Sequence, residues 1–154
     1  MRLDLEWRWY AWAELDADTL YALLRLRVDV FVVEQKCAYP ELDGLDAACD
    51  HLLAREPGGK TLAYLRLLPP GLKGARPALG RLAVVAEARG QGLARALAQE
   101  GIRGAQLRHP EQDIYISAQQ YLEPFYQSLG FVVDSTPYLE DGIWHVDMIK
   151  PWRR

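Results

Sequence analysis

The sequence predicts a single α/β domain built around a mixed sheet. The chain has 154 residues, half of them apolar or aromatic, which is enough for one domain with a substantial core. Apolar residues alternate in some segments, as in strands, and recur at helical spacing in others. The loop-like stretches are short, so they interrupt one domain and do not separate two. Residues 1–154 are therefore predicted to fold together.

The first half of the chain predicts one strand, one helix and three further strands. Leu3 to Trp12 alternates imperfectly and is rich in aromatic residues, as strands are. Asp16 or Asp18 can cap a helix whose apolar residues recur at helical spacing as far as Phe31. Three strands follow, the first two joined by a Pro-Gly-Gly turn: His51–Arg55, Thr61–Leu68 and Leu79–Val85.

The second half predicts two helices and three strands. Gly90 to Arg108 has a broad apolar stripe opposite polar residues, which is typical of an amphipathic helix. A short buried strand, Ile114 to Ala118, and a helix over Gln120 to Leu129 follow, and Gly130 ends that helix. Two strands close the chain: Phe131–Ser135 and Trp144–Ile149. Hairpins mixed with strand–helix–strand units favour an α/β layer fold.

Composition argues against several kinds of partner. The formal net charge is −3, whereas nucleic-acid binding requires a basic surface. No apolar run is long enough to span a bilayer, and acidic residues stand near the start, where a signal peptide is basic and then apolar. Cys37 and Cys49 lack the spacing of a zinc or redox site. We expect a cytoplasmic protein without a nucleic-acid, membrane or metal partner.

The strongest local motif is the turn between the third strand of the hairpin region and the long helix, Arg89-Gly90-Gln91-Gly92-Leu93-Ala94. Glycines there allow close backbone approach, and the free N–H groups of a helix start favour an anion such as a phosphate. A P-loop is excluded because Gly92 is followed by Leu93, and a dinucleotide fingerprint is weakened by Arg95. The pattern [Arg/Gln]-x-x-Gly-x-[Gly/Ala] fits, although a tight turn without a ligand remains an alternative.

In this turn the chain resembles the GNAT family of N-acetyltransferases, whose pyrophosphate loop has that pattern. Leu79–Val84 resembles the central strand of the family, and Phe125–Phe131 resembles its late helix and next strand. Val30–Gln35 and Asp141–His145 are similar to the ElaA-like branch of the family. The matches occur in order from Arg27 to Met148, which is most of the chain.

The resemblance implies a largely antiparallel central sheet flanked by helices, and an enzyme that transfers the acetyl group of acetyl-CoA to a primary amine. It also implies a set of cofactor-binding residues: Leu82, Ala83, Val84, Arg89, Gly90, Gln91, Gly92, Leu93, Ala94, Gln119 and Tyr126.

Acetyl transfer to an amine requires a base, an oxyanion donor and an acid for the leaving thiolate. Tyr126 occupies the position of the acid in the family. Glu34 is one candidate base, because burial after an apolar run would raise its pKa; the alternative is a cap or an ion pair with Arg27. His145 is the other candidate base, or a structural histidine. A backbone N–H near Ala83 is the expected oxyanion donor.

Other interpretations stay open at this point. The chain can be a non-catalytic CoA-binding or regulatory module, or an acyltransferase with a longer acyl donor, since Val30–Gln35 also resembles acyl-homoserine-lactone synthases. A nicotinamide-dependent enzyme is a more remote alternative. An acidic segment is either solvated or attracts a cationic amine: Glu41, Asp43, Asp46 and Asp50. Aromatic residues of the first strand can supply a homodimer patch: Trp7, Trp9, Tyr10 and Trp12.

Overall fold

The computed structural model describes residues 4–153 and contains a sheet of eight strands. The strands are β1 (Glu6–Ala11), β2 (Asp50–Arg55), β3 (Thr61–Leu68), β4 (Ala78–Val84), β5 (Ile114–Gln119), β6 (Val132–Val133), β7 (Tyr138–Glu140) and β8 (Ile143–Lys150). The α-helices are α1 (Ala17–Val28), α2 (Leu93–Arg108) and α3 (Glu123–Gln127). The predicted first strand began at Leu3, which lies outside the described residues.

The sheet has the order β1-β2-β3-β4-β5-β8-β6, and β7 pairs with β8. Neighbouring strands are antiparallel, except that β4 and β5 are parallel and pair at Ala78 and Tyr115. The predicted fold class, a mixed and largely antiparallel sheet flanked by helices, is therefore confirmed.

Helices cover both faces of the sheet. On one face, α2 packs its buried residues against β2, β3 and β4. Two glycines allow this approach: a Cβ added to Gly104 would lie 2.2 Å from the Trp9 ring, and one on Gly101 would lie 2.5 Å from Leu65. On the other face, α1 packs Leu23 and Leu26 against Leu53, Tyr64 and Ala83.

Several predicted elements differ in length from those in the structure. The helix expected as far as Phe31 is α-helical only to Val28, and a π-helical turn follows over Asp29–Glu34, closed by the bond from the Cys37 N–H to the Val32 carbonyl. The expected strand over Phe131–Ser135 is reduced to β6, and β7 was not predicted. In both cases short strands form only because β8 provides hydrogen-bond partners.

The aromatic residues that were predicted to supply a homodimer patch divide between the core and the surface. Tyr10 is buried in the core. Trp9 donates from its indole N–H to Glu100 and lies under the Arg108 guanidinium, 4.3 Å from the ring centroid. Trp7 and Trp12 are the more exposed members, at 37% and 39%. Within residues 4–153, no helix is long and apolar enough to cross a membrane.

Candidate active site

A cleft of about 940 Å³ opens between β4 and β5 beyond their shared pair at Ala78 and Tyr115. Its floor and walls come from these two strands, the π-helical turn, α3 and the β7–β8 hairpin. The predicted site residues that line it are Glu34, Leu82, Ala83, Val84, Arg89, Ala94, Gln119, Tyr126 and His145. The remaining ones, Gly90, Gln91, Gly92 and Leu93, form the turn beside it.

A bulge in β4 separates this strand from β5. The register between β3 and β4 shifts between Tyr64 and Arg66, and Arg81 has a positive φ of 54°. A non-glycine residue in this region of φ is uncommon and marks a bent backbone. Beyond the bulge, the backbone of Leu82, Ala83 and Val84 borders the cleft.

The turn before α2 has the features of an anion site. Gly90 and Gly92 have φ of 80° and 79°, which glycine adopts without strain. Gly92 is the N-cap of α2, and no side chain among the described residues caps the helix start. The first turn of α2 also contains no acidic residue. Its free N–H groups and the helix dipole therefore favour a negatively charged ligand.

Arg89 lies at the same end of the cleft and is already bound by a carboxylate. Its Nε donates to the Val84 carbonyl at 3.0 Å, and its two terminal nitrogens donate to Glu34, with Nη2 2.8 Å from Oε1. This bond raises the pKa of Arg89 and lowers the pKa of Glu34. The predicted burial of Glu34 is wrong, because its side chain is 45% exposed, and its partner is Arg89 and not Arg27.

Tyr126 lies on α3 with its ring in the buried wall of the cleft. Phe125 and Phe131 pack edge-on against it, with ring centroids 5.2 and 5.8 Å away. Burial raises the pKa of Tyr126 to about 12. The phenol is therefore protonated at neutral pH and can act as a proton donor.

His145 lies on β8, opposite Gln119 of β5 and Tyr138 of β7. Its Nδ1 is 2.7 Å from the Ile143 carbonyl. A carbonyl only accepts, so Nδ1 carries the hydrogen and Nε2 of the neutral ring keeps its lone pair. The nearest carboxylate to Nε2 is that of Glu140, at 3.9 Å. The stacked Tyr138 ring fixes the orientation of the imidazole.

His145 belongs to a row of polar residues that was not predicted as a unit from the sequence. These residues, called the polar strip below, are Tyr115, Ser117, Gln119, Tyr138, His145 and Asp147. They alternate along β5 and β8 with residues buried against the helices: Ile114, Ile116, Ala118, Val146 and Met148. The alternation of polar and apolar residues in the sequences of β5 and β8 could have identified the polar strip, because successive strand residues face opposite sides of a sheet.

Asp147 is the centre of the hydrogen bonds in the polar strip. The hydroxyls of Tyr115 and Tyr138 both donate to its Oδ1, each at 2.7 Å. Burial raises the pKa of both tyrosines, and donation to Asp147 raises it further. Ser117 bonds to the Tyr138 hydroxyl in turn.

The acidic segment before β2 is not a solvated surface. Arg27 bonds to Glu41 and Asp46, Arg66 bonds to Asp43 and Asp46, and Arg81 bonds to Glu41 and Asp43. We call these six residues the arginine network: Arg27, Arg66, Arg81, Glu41, Asp43 and Asp46. Its three positive and three negative charges cancel. Asp50, the fourth acid, lies outside it, 3.6 Å from Arg108.

No cluster of three or more His, Cys, Asp or Glu side chains that could hold a metal ion occurs in residues 4–153. Both cysteines are free thiols: Cys37 lines the cleft and Cys49 is buried.

Comparison with known proteins agrees with this geometry. The family model for the acetyltransferase (GNAT) domain matches residues 32–151. The crystal structure of an acyl-CoA N-acyltransferase from Pseudomonas aeruginosa is 42% identical, with a TM-score of 0.91, covering 96% of this chain and 99% of that one. Escherichia coli ElaA is 34% identical, with a TM-score of 0.89 and the same coverage.

Val30–Gln35 also resembles acyl-homoserine-lactone synthases in sequence, and a more distant structural likeness is to one of these enzymes. The acyl-homoserine-lactone synthase LasI has a TM-score of 0.73 at 19% identity, covering 96% of this chain and 90% of LasI, which shows a shared fold alone. The match over residues 32–151, together with the ElaA likeness, confirms the family expected from the sequence. The chain belongs to the GNAT acetyltransferase family, and its similarity to ElaA extends over nearly its whole length.

Proposed function

We propose that the protein transfers the acetyl group of acetyl-CoA to a primary amine in the cleft between β4 and β5. The observation that carries this proposal is the position of the cleft. It connects an uncapped helix start with two left-handed glycines, suited to a pyrophosphate, to a wall that contains Tyr126 and His145. A phosphate-binding end and a proton-transfer end therefore share one cavity.

The donor lies along β4 in this proposal. The pyrophosphate binds the turn from Gly90 to Ala94, and Arg89 adds a charge-assisted hydrogen bond after it releases Glu34. The pantetheine arm then follows the backbone of Leu82, Ala83 and Val84. Gln119 lies on the other side of the cleft, and none of the described strands fills the gap between β4 and β5.

The chemistry is direct attack on the thioester. His145 Nε2 accepts a proton from the acceptor ammonium, and the amine nitrogen then forms a bond to the acetyl carbon. A backbone N–H of β4 near Ala83 stabilises the oxyanion. As the C–S bond breaks, the Tyr126 hydroxyl gives its proton to the thiolate sulfur, and the second proton of the attacking nitrogen returns through solvent to the Tyr126 phenolate, which leaves a neutral amide. We assign the base to His145 and not to Glu34, because Glu34 is held by Arg89 and its pKa is lowered.

Isothermal titration with acetyl-CoA tests the donor site. Replacing Arg89 with Glu puts a negative charge beside the pyrophosphate, so we expect the Kd for acetyl-CoA to rise at least tenfold, which is about 1.4 kcal/mol. NADH serves as a ligand that should not bind. The control is Arg25→Glu, an equal charge change on an exposed residue of α1. Equal affinity in wild type and Arg89→Glu contradicts the assigned donor site.

Turnover separates the remaining alternatives. A CoA-binding module without catalysis binds acetyl-CoA but releases no thiol when amines are added. The size of the cleft, about 940 Å³, is the observation that favours an acyltransferase with a longer acyl donor. Comparing kcat/KM for acetyl-CoA with that for a medium-chain acyl-CoA distinguishes an acetyltransferase from a longer-chain acyltransferase, and we expect the acetyl donor to be preferred.

A further inference from the structure

Asp147 of the polar strip lines the cleft and has one carboxylate oxygen without a hydrogen-bond partner among the described residues. Both tyrosine hydroxyls, of Tyr115 and Tyr138, donate to Oδ1 of Asp147. No residue between 4 and 153 donates a hydrogen bond to Oδ2, and Asp147 is half-buried in the cleft wall. The two tyrosines thus hold the carboxylate in one orientation and leave its second oxygen available to a ligand.

The surrounding charges make this wall of the cleft negative. Arg66 and Arg81 of the arginine network also line the cleft, but the three positive charges of the network are cancelled by its three carboxylates. Glu140 and Asp141, in the β7–β8 hairpin, add negative charge to the same cleft. The opposing cation is Lys73, an exposed loop residue at the rim that forms no ion pair with any described residue.

We propose that the acceptor amine carries a second positive charge and that Asp147 binds it. The inference rests on the proposed function, since it places the reacting amine at His145 Nε2. His145 and Asp147 are two residues apart on β8 and face the same side of the sheet, which separates them by about 7 Å. A linear diamine, or a basic group on a chain of similar length, spans this distance.

The charge of Asp147, and not only its hydrogen bonds, carries the selectivity. A cation bound to a half-buried carboxylate makes a charge-assisted hydrogen bond, which is stronger than a bond between neutral groups. A neutral second group gains less, and an anionic one is repelled by Asp147, Glu140 and Asp141. The expected order of acceptors is cationic, then neutral, then anionic.

Three amines of equal length test this order: 1,4-diaminobutane, 4-aminobutan-1-ol and 4-aminobutanoate. With saturating acetyl-CoA, we expect kcat/KM for the diamine to exceed that for the amino alcohol by about tenfold. In Asp147→Asn, which keeps the shape and an acceptor oxygen for the tyrosines, we expect this ratio to fall close to one. The control is Asp134→Asn, an exposed carboxylate outside the cleft, in which the ratio should not change.

The outcomes distinguish the inference from the function on which it rests. Transfer to all three amines at equal kcat/KM, or a preference for 4-aminobutanoate, overturns the inference and leaves the acetyltransferase intact. If no amine is acetylated, the proposed function fails. Titration of 1,4-diaminobutane into CoA-saturated protein then tests whether Asp147 binds a cation. Binding that is lost in Asp147→Asn supports the subsite, and absence of binding to the wild type overturns it.

Discussion

Tyr126 retains its proton over the whole pH range in which the reaction is measured. Because burial raises its pKa to about 12, deprotonation begins only as the pH approaches that value. A general acid loses activity when the pH rises towards and above its pKa, so no loss of rate below about pH 10 should come from Tyr126.

Replacing Tyr126 with Phe removes the proposed proton donor but keeps the packing of the ring. General acids contribute about 10²–10⁴-fold to a rate, so we expect kcat to fall by at least tenfold, with the Kd for acetyl-CoA nearly unchanged. Steady-state turnover and titration are the two measurements. The control is Tyr121→Phe, an exposed residue 71% accessible to solvent at the rim of the same cleft. An unchanged kcat removes Tyr126 from the mechanism.

Glu34 has two possible roles, and one substitution separates them. If it occupies Arg89 in competition with the pyrophosphate, Glu34→Gln should lower the Kd for acetyl-CoA by roughly two- to fivefold, since exposed ion pairs contribute about 0.2–1 kcal/mol. Its kcat should then change little. Glu87→Gln, a nearby exposed acid paired with Lys60, is the control. A large loss of kcat with unchanged affinity would instead make Glu34 the base.

At the scale of secondary structure, helices and strands with a strong periodicity were predictable, and short elements were not. α2 has an apolar stripe that is visible in the sequence, and its start is marked by Gly90 and Gly92. β7 has three residues and exists because β8 pairs with it, which no local pattern indicates. The π-helical turn after α1, which packs Val30 and Phe31 against the core, was not predicted either.

α2 approaches β1 so closely that Gly104 has no space for a side chain. Alanine is the better helix former by about 1 kcal/mol, but its Cβ would lie 2.2 Å from the Trp9 ring. We therefore expect Gly104→Ala to lower the free energy of unfolding by roughly 1–2 kcal/mol in urea denaturation. Gln99→Ala, an exposed position on the same helix, should be neutral or slightly stabilising. A stabilised Gly104→Ala protein would mean that β1 moves freely away from α2.

At the scale of the whole molecule, the two ends of the cleft differ in how many of their residues could be identified from the sequence. The proposed donor end is a contiguous motif from Arg89 to Ala94, and its glycines were identified from the sequence. The proposed acceptor end combines β5 with β8 and adds Tyr138 from a third strand, so it forms only once the sheet is assembled. The partner of Glu34 is 55 positions away in the sequence, and the pair was missed for the same reason.

The arginine network makes stability depend on acidic pH. Burial opposes ionisation of Asp43, but the hydrogen bonds from Arg66 outweigh it and hold the pKa of Asp43 well below its usual range. In Asp46, burial is likewise outweighed by Arg27, and the pKa is lowered. A carboxyl with a lowered folded-state pKa stabilises the protein fully above its unfolded pKa of about 3.9. That contribution is lost as the pH falls towards the folded value.

Asp43→Asn tests this linkage. At pH 7 we expect the free energy of unfolding to fall by about 2–3 kcal/mol, because Arg66 loses a buried partner. The difference from wild type should narrow only as the pH falls below about 4, because the unfolded carboxylate then takes up a proton while the folded one is still ionised. Urea denaturation at several pH values measures this. Asp134→Asn is the control, and a difference that does not depend on pH contradicts the prediction.

The separation of β4 from β5 has a consequence for what the protein can admit. Exposed strand edges commonly recruit other chains and lead to aggregation. Here the two unpaired edges face each other across the cleft, and the space of one missing strand is about 10 Å wide. A folded polypeptide is too thick to reach them, whereas a narrow, unbranched molecule with amide groups can bond to both. The gap therefore favours a narrow, extended ligand over a folded chain, and these two inner edges are shielded from pairing with a folded copy of the protein.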